Sequence, residues 1–119
     1  MMVLVVMIGG AFGSAARYLV GITFPHGTLI VNLVGCFVLG AVVQLGGSQQ
    51  WSPELRAAIA TGFLGGFTTY SSFNQETLTM FANGAYGQGA ANMAITLMGG
   101  LAAGALGLAV VKALATVAP

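Results

Sequence analysis

The chain has 119 residues, of which 57% are hydrophobic and 4% are charged, and its net charge is +1. A soluble domain carries roughly a quarter of its residues as charged side chains, so this chain cannot cover its apolar surface in water. Its solvent must therefore be lipid. The three basic residues are too few and too dispersed for a nucleic-acid footprint, which needs clustered Lys and Arg.

Four stretches are long enough to cross the membrane as helices, which takes about 20 apolar residues. They cover residues 2–22, 28–45, 54–81 and 88–115. Turn-forming Pro, Gly, Ser and Asn residues separate them. The sequence therefore predicts an all-α integral membrane protein, with one four-helix domain over residues 1–119.

The basic residues are distributed almost evenly between the two sides of the membrane. Arg56 and Lys112 fall on one side of the predicted layout, and Arg17 lies toward the other. Orientation in the membrane follows an excess of Lys and Arg on one side, and two against one is a weak bias. The chain is therefore predicted to insert in both orientations, which favours an antiparallel dimer.

The third span contains a sequence that is poorly suited to a continuous helix in lipid. Gly65 and Gly66 are followed by five hydroxyl residues within the six positions 67–72. Glycine weakens a helix, and Ser and Thr offer its backbone other hydrogen bonds. We expect a break near Gly65 to Thr69, where freed carbonyls could hold a cation.

Beyond the expected break, two helical faces carry different chemistry. Tyr70 and Phe73 are three residues apart and share one face. Ser72 and Glu76 share another, which includes Thr68 if the helical phase is kept. The rings of Tyr70 and Phe73 have two possible roles, plain packing between helices or contact of their edges with an anion.

Polar residues in the first two spans each have two possible roles. Asn32 shares a small, partly polar face with Thr28 and Cys36; its amide could either bond a neighbouring helix or line a water-filled path. Arg17 could extend to the headgroups or face an aqueous vestibule. The same alternatives, interfacial charge or vestibule residue, apply to Glu76.

Three motifs together resemble those of the Fluc (CrcB) family of dimeric fluoride channels. They are Gly-Gly-Ala-Phe-Gly at 9–13 with Arg-Tyr at 17–18, the segment 27–35 with its central Asn, and the segment 62–73. The chain length and the four-span layout match the family as well.

The resemblance implies an antiparallel, dual-topology homodimer in the plasma (inner) membrane, with two pores that export fluoride passively. It places Asn32, Tyr70 and Phe73 at the pore and implies a structural sodium ion at the dimer centre, bound by the main-chain carbonyls of Gly65 and Thr68. Further predicted pore residues are Thr28, Ser71 and Ser72. A heterodimer with a different chain is also compatible with the sequence.

The sequence departs from the family pattern at one residue, Tyr70, and along the fourth span. Tyr70 stands where the family usually has phenylalanine, which adds a hydroxyl group that could donate to an ion or narrow its path. The fourth span, where family members tend to carry a track of hydroxyls, has mainly Asn92 and Thr96.

Other functions fit the residues less well. A small multidrug exporter needs an acid embedded in the membrane, and the first span contains no Asp or Glu. An enzyme is disfavoured because His26 is the only histidine and lies in a loop without a nucleophile at motif spacing. An accessory membrane subunit without its own pore remains an alternative that a flux measurement would separate.

The weak charge bias generates a first prediction about topology. Reporter fusions at the carboxyl terminus should label both sides of the membrane, because Arg17, Arg56 and Lys112 do not select one orientation. Signal from one side only, together with a monomer in crosslinking, would contradict the antiparallel dimer.

Overall fold

The computed structural model describes residues 1–117, which form an all-helical fold. The helices are α1 (Met2–Thr23), α2 (Gly27–Ser48), α3 (53–67), α4 (Tyr70–Ala82) and α5 (Tyr86–Val117). The third predicted span corresponds to α3 and α4 together, so the chain has four membrane-crossing segments. The predicted boundaries agree with the observed ones to within a few residues at each end.

Helix α3 is composite. Its first turn, Pro53–Arg56, and its last, Gly65–Phe67, are α-helical, whereas Ala57–Leu64 between them is π-helical. The helix begins at a side-chain cap, since Ser52 Oγ accepts a hydrogen bond from the Leu55 amide at 3.1 Å and Pro53 occupies the first helical position. The cap follows from the sequence, but the π-helical stretch was not predicted.

The predicted break in the third span is present, at the carboxyl end of the expected interval. Thr68 (φ −86°, ψ 156°) and Thr69 (φ −149°, ψ 118°) are extended, while Gly65–Phe67 remains helical. The helical phase is therefore lost at the break. Thr68 does not continue the face that Ser72 and Glu76 share on α4.

Glycines allow two pairs of helices to pack with their backbones in close contact. Helix α1 lies along α3, and α2 lies along α5. A Cβ atom on Gly13 would collide with the Phe63 carbonyl of α3, and one on Gly9 would collide with the Ala58 carbonyl. Such approach is typical of helix pairs in membranes, where small residues line the contact.

Glycines four residues apart in the sequence account for the contact between α1 and α3 better than for the contact between α2 and α5. Between α1 and α3, the glycines at 9, 13, 62 and 66 all lie in the contact. Between α2 and α5, Cβ atoms on Gly100 and Gly104 would meet their neighbours at ordinary distances of 3.4 and 3.5 Å. The tight positions there are Gly40, against the Gly104 carbonyl, and Gly107, against the Phe37 carbonyl.

The outer surface is apolar over most of the chain. Helices α1, α2 and α5 are long and apolar enough to cross a membrane. Large hydrophobic side chains such as Val3, Phe12 and Leu101 are exposed, whereas the buried hydrophobic core consists of Val31, Val42, Leu64 and Phe73. This distribution is that of a multi-pass membrane protein, whose apolar exterior faces lipid.

The glycine contact generates a second prediction. Gly13→Ala should lower the thermal unfolding temperature of the purified protein, because the new methyl group meets the Phe63 carbonyl and overpacking costs about 1–3 kcal/mol. Gly21→Ala, in the same helix, is the matched control, since a Cβ there meets nothing within 4 Å. Equal melting temperatures for the two variants would contradict the packing described.

Candidate functional site

The extended residues of the break are paired with a side chain from α2. Asn32 Oδ1 accepts a hydrogen bond from the Thr69 amide at 2.7 Å, and Asn32 Nδ2 donates to the Thr69 carbonyl at 3.0 Å. The side-chain amide thus makes the two bonds that a neighbouring backbone would make. Asn32 is 9% exposed, so the pair lies away from the surface, where unpaired backbone groups are costly.

The carboxyl end of α3 is paired with a side chain from α1. Arg17 Nε donates a hydrogen bond to the Gly66 carbonyl at 2.9 Å. In a continuous helix the Gly66 carbonyl would accept from the amide of residue 70. The guanidinium group is therefore held against α3, although the sequence alone allowed Arg17 to extend to the headgroups.

Two more carbonyls lose their helical donors at the break. The Thr69 amide, which would bond the Gly65 carbonyl in a continuous helix, bonds Asn32 instead. The Ser72 amide, which would bond the Thr68 carbonyl, donates to Thr69 Oγ1 at 3.2 Å. Gly65 and Thr68 also line a common cavity of about 170 Å³, so the two predicted cation-binding residues lie together.

A second cavity, of about 210 Å³, brings together the three residues predicted at the pore. Asn32, Tyr70 and Phe73 all line it. The rings of Tyr70 and Phe73 are 5.7 Å apart between centroids and 62° between planes, so that one ring points its edge at the other. Phe73 is 6% exposed and Tyr70 is 74% exposed, which means that the cavity is open on the Tyr70 side.

A third cavity, of about 180 Å³, lies beside the second and is lined by three more of the predicted site residues. Arg17, Thr28 and Ser72 line it. Thr69 lines both this cavity and the one that contains Asn32. The two cavities therefore meet at the helix break.

The other predicted residues have less central positions. Ser71 is exposed and its hydroxyl lies 3.3 Å from Thr69 Oγ1, whereas Glu76 is exposed on α4. On α5, Thr96 lines the cavity that contains Asn32. Asn92 does not line that cavity; its Nδ2 donates to Thr77 Oγ1 at 2.9 Å and joins α5 to α4.

Thr69 is the central site residue that the sequence did not single out. It caps α4 with its side chain, pairs with Asn32 through its backbone and lines both cavities. A threonine at the start of a helical stretch is a recognisable capping signal. Its partner on α2 is not visible in the local sequence.

The pairing of Asn32 with the break generates a third prediction. Asn32→Ala should speed hydrogen exchange at the Thr69 amide and lower stability, by about 1–3 kcal/mol for each backbone group left without a partner. Exchange measured by mass spectrometry on the purified protein tests this. Gln44→Ala, in the same helix and away from the break, is the control, and unchanged protection in Asn32→Ala would contradict the pairing.

Comparison with known proteins gives one consistent result. A family model described as CrcB-like protein, Camphor Resistance (CrcB), matches residues 4–108. The protein named fluoride-specific ion channel FluC of Sorangium cellulosum is 45% identical over 116 residues, which cover 90% of this chain and 91% of that protein. Proteins of the same name from Gloeothece citriformis and Bordetella petrii are 42% and 44% identical, covering 92% and 93% of this chain and 96% and 91% of their own lengths. The chain described here belongs to the CrcB family.

Proposed function

We propose that this protein is a fluoride-selective channel that lets cytoplasmic fluoride leave the cell passively, and that it works as an antiparallel homodimer in the plasma (inner) membrane. The relatives that match over nine tenths of the chain carry the name of a fluoride-specific ion channel. The observation that carries the proposal is the cavity at the helix break, where Asn32, Tyr70 and Phe73 converge.

The chemistry of this cavity suits a small anion that is a strong hydrogen-bond acceptor. Such an ion leaves water only if donors replace its hydration shell. The edges of aromatic rings carry partial positive charge, and the cavity contains the edge-on pair Tyr70 and Phe73. The hydroxyl groups of Thr69 and Thr96 on its walls are further potential donors, whereas the hydroxyl of Thr68 donates to the Leu64 carbonyl at 2.9 Å.

Asn32 can serve both of the roles that the sequence left open. A side-chain amide has two N–H hydrogens, and the bond to the Thr69 carbonyl uses one of them. The second hydrogen is available to an ion in the cavity that Asn32 lines. Structural pairing at the break and donation to fluoride are therefore compatible in one side chain.

A second copy of the chain would complete the pathway. With Tyr70 largely exposed, one wall of the Asn32 cavity is missing in the single chain. An antiparallel copy would supply this wall, and two-fold symmetry would produce two equivalent pathways. Arg17 and Glu76 would then lie in the vestibules that lead to these two pathways.

A sodium ion at the dimer centre fits the donor set of the break. Gly65 and Thr68 present carbonyls that have lost their helical donors, and carbonyls of unwound helices are typical ligands for sodium in membrane proteins. Within residues 1–117 there is no cluster of His, Cys, Asp and Glu that could hold a metal ion instead. In the proposed dimer the same two residues of each copy would bind the ion, which would stabilise the interface.

Fluoride efflux from liposomes that contain the purified protein tests the function. We expect release of fluoride, followed with a fluoride electrode, and no release of chloride from matched liposomes. Liposomes without protein are the control. Absence of fluoride release from liposomes that contain intact dimer would support an accessory membrane subunit instead, and proton-driven release of organic cations would support an exporter.

The hydroxyl group of Tyr70 generates a fourth prediction. Tyr70→Phe removes the hydroxyl but keeps the ring that faces Phe73, so fluoride efflux should be kept or raised. Tyr70→Leu, which removes the aromatic edge, should lower efflux. Tyr86→Phe, at the exposed start of α5, is the matched control. Equal efflux from Tyr70→Phe and Tyr70→Leu would show that the Tyr70 ring is not part of the fluoride pathway.

A further inference from the structure

Arg17 is a charged side chain within a membrane-crossing helix, and its partner in this chain is a backbone carbonyl. It lies six residues before the end of α1 and is only partly exposed. Its Nε donates to the Gly66 carbonyl at 2.9 Å across a sequence separation of 49 residues. Because this contact connects α1 to the last turn of α3, Arg17 can affect the geometry of the break as well as the electrostatic potential there.

The hydrogen bond from Arg17 to Gly66 fixes the part of α3 that carries the unpaired carbonyls. Gly66 lies between Gly65 and Thr68, the two residues whose carbonyls lost their helical donors. Helix α3 ends one residue later, and its final turn is secured by the Thr68 amide, which donates to the Leu64 carbonyl at 3.0 Å. Without a partner at Gly66, this short turn would be held only by that bond and its neighbours.

We infer that Arg17 is a positioning residue, which holds the carboxyl end of α3 through its Nε–H and thereby sets the direction of the Gly65 and Thr68 carbonyls. Asn32 performs the corresponding task on the other side of the break, at Thr69. The two side chains, from α1 and α2, fix both ends of the extended segment. A guanidinium group also complements the negative end of the helix dipole.

An electrostatic role for Arg17 makes the opposite predictions, so the two can be separated by a pair of variants. In Arg17→Gln the amide nitrogen occupies the same place along the side chain as Nε of arginine, so a donor is kept and the charge is lost. In Arg17→Lys the charge is kept, but a methylene group replaces Nε. A role in attracting anions requires the charge, whereas a positioning role requires the donor at this place.

The test measures two properties of wild type, Arg17→Gln and Arg17→Lys, with Lys112→Gln as a charge-loss control at an exposed position of α5. The first is hydrogen exchange at the Thr68 amide, which reports fraying of the last turn of α3. The second is fluoride efflux from liposomes. We expect Arg17→Gln to keep slow exchange at Thr68 and to retain more efflux than Arg17→Lys, and Arg17→Lys to show exchange faster by about fivefold or more, as for a lost hydrogen bond, together with the lower efflux of the two.

The inference rests on the proposed function for its efflux measurement, and the exchange measurement keeps the two separable. If wild type releases no fluoride, the proposed function fails, while exchange at Thr68 still tests the position of Arg17. Wild-type behaviour of Arg17→Lys with impairment of Arg17→Gln would overturn the inference in favour of an electrostatic role. Equal impairment of both variants, or of neither, would overturn it as well, because the inference requires glutamine to replace arginine better than lysine does.

Discussion

Backbone hydrogen bonding in a medium without water is the constraint on which the rest of this structure depends. An N–H or C=O group without a partner in hydrocarbon costs several kcal/mol, so a helix can be interrupted there only if other groups replace its bonds. Here Asn32 replaces them at Thr69 and Arg17 replaces one at Gly66. The first role of these polar side chains in the first two spans is therefore to bond the backbone of the broken third span. Contact with an ion is a second role.

Glycine makes these bonds geometrically possible. Gly13 lies against the Phe63 carbonyl, one turn of α1 before Arg17, so the arginine begins close enough to α3 to reach Gly66. Gly35 lies one turn of α2 after Asn32, and a Cβ there would collide with the methyl group of Thr68. In each case a glycine allows close contact with the third span next to the side chain that bonds the break. The same residues thus serve helix packing and the arrangement of the site.

Much of this arrangement follows from the sequence, because its signals are local. Apolar length predicts the four crossing segments, and the glycines and hydroxyl residues of the third span predict its interruption. Asn32, Tyr70 and Phe73 line one cavity, and their role in a pore stays a prediction. The sequence could not show which groups the polar side chains bond, since Asn32 and Thr69 are 37 residues apart and Arg17 and Gly66 are 49 apart. Those pairs depend on how α1 and α2 pack against the third span.

The π-helical stretch Ala57–Leu64 lies between two fixed points, the cap at Ser52 and the carbonyl of Gly66. A π turn closes its hydrogen bond one residue later than an α turn, so it holds an additional residue without lengthening the helix in proportion. A chain with one residue fewer in this stretch could adopt ordinary α-helical turns and still present Gly66 to Arg17 in the same orientation. The same number of residues in α-helical turns would lengthen α3 and rotate its carboxyl end, so the π-helical stretch sets the orientation in which Gly66 meets Arg17.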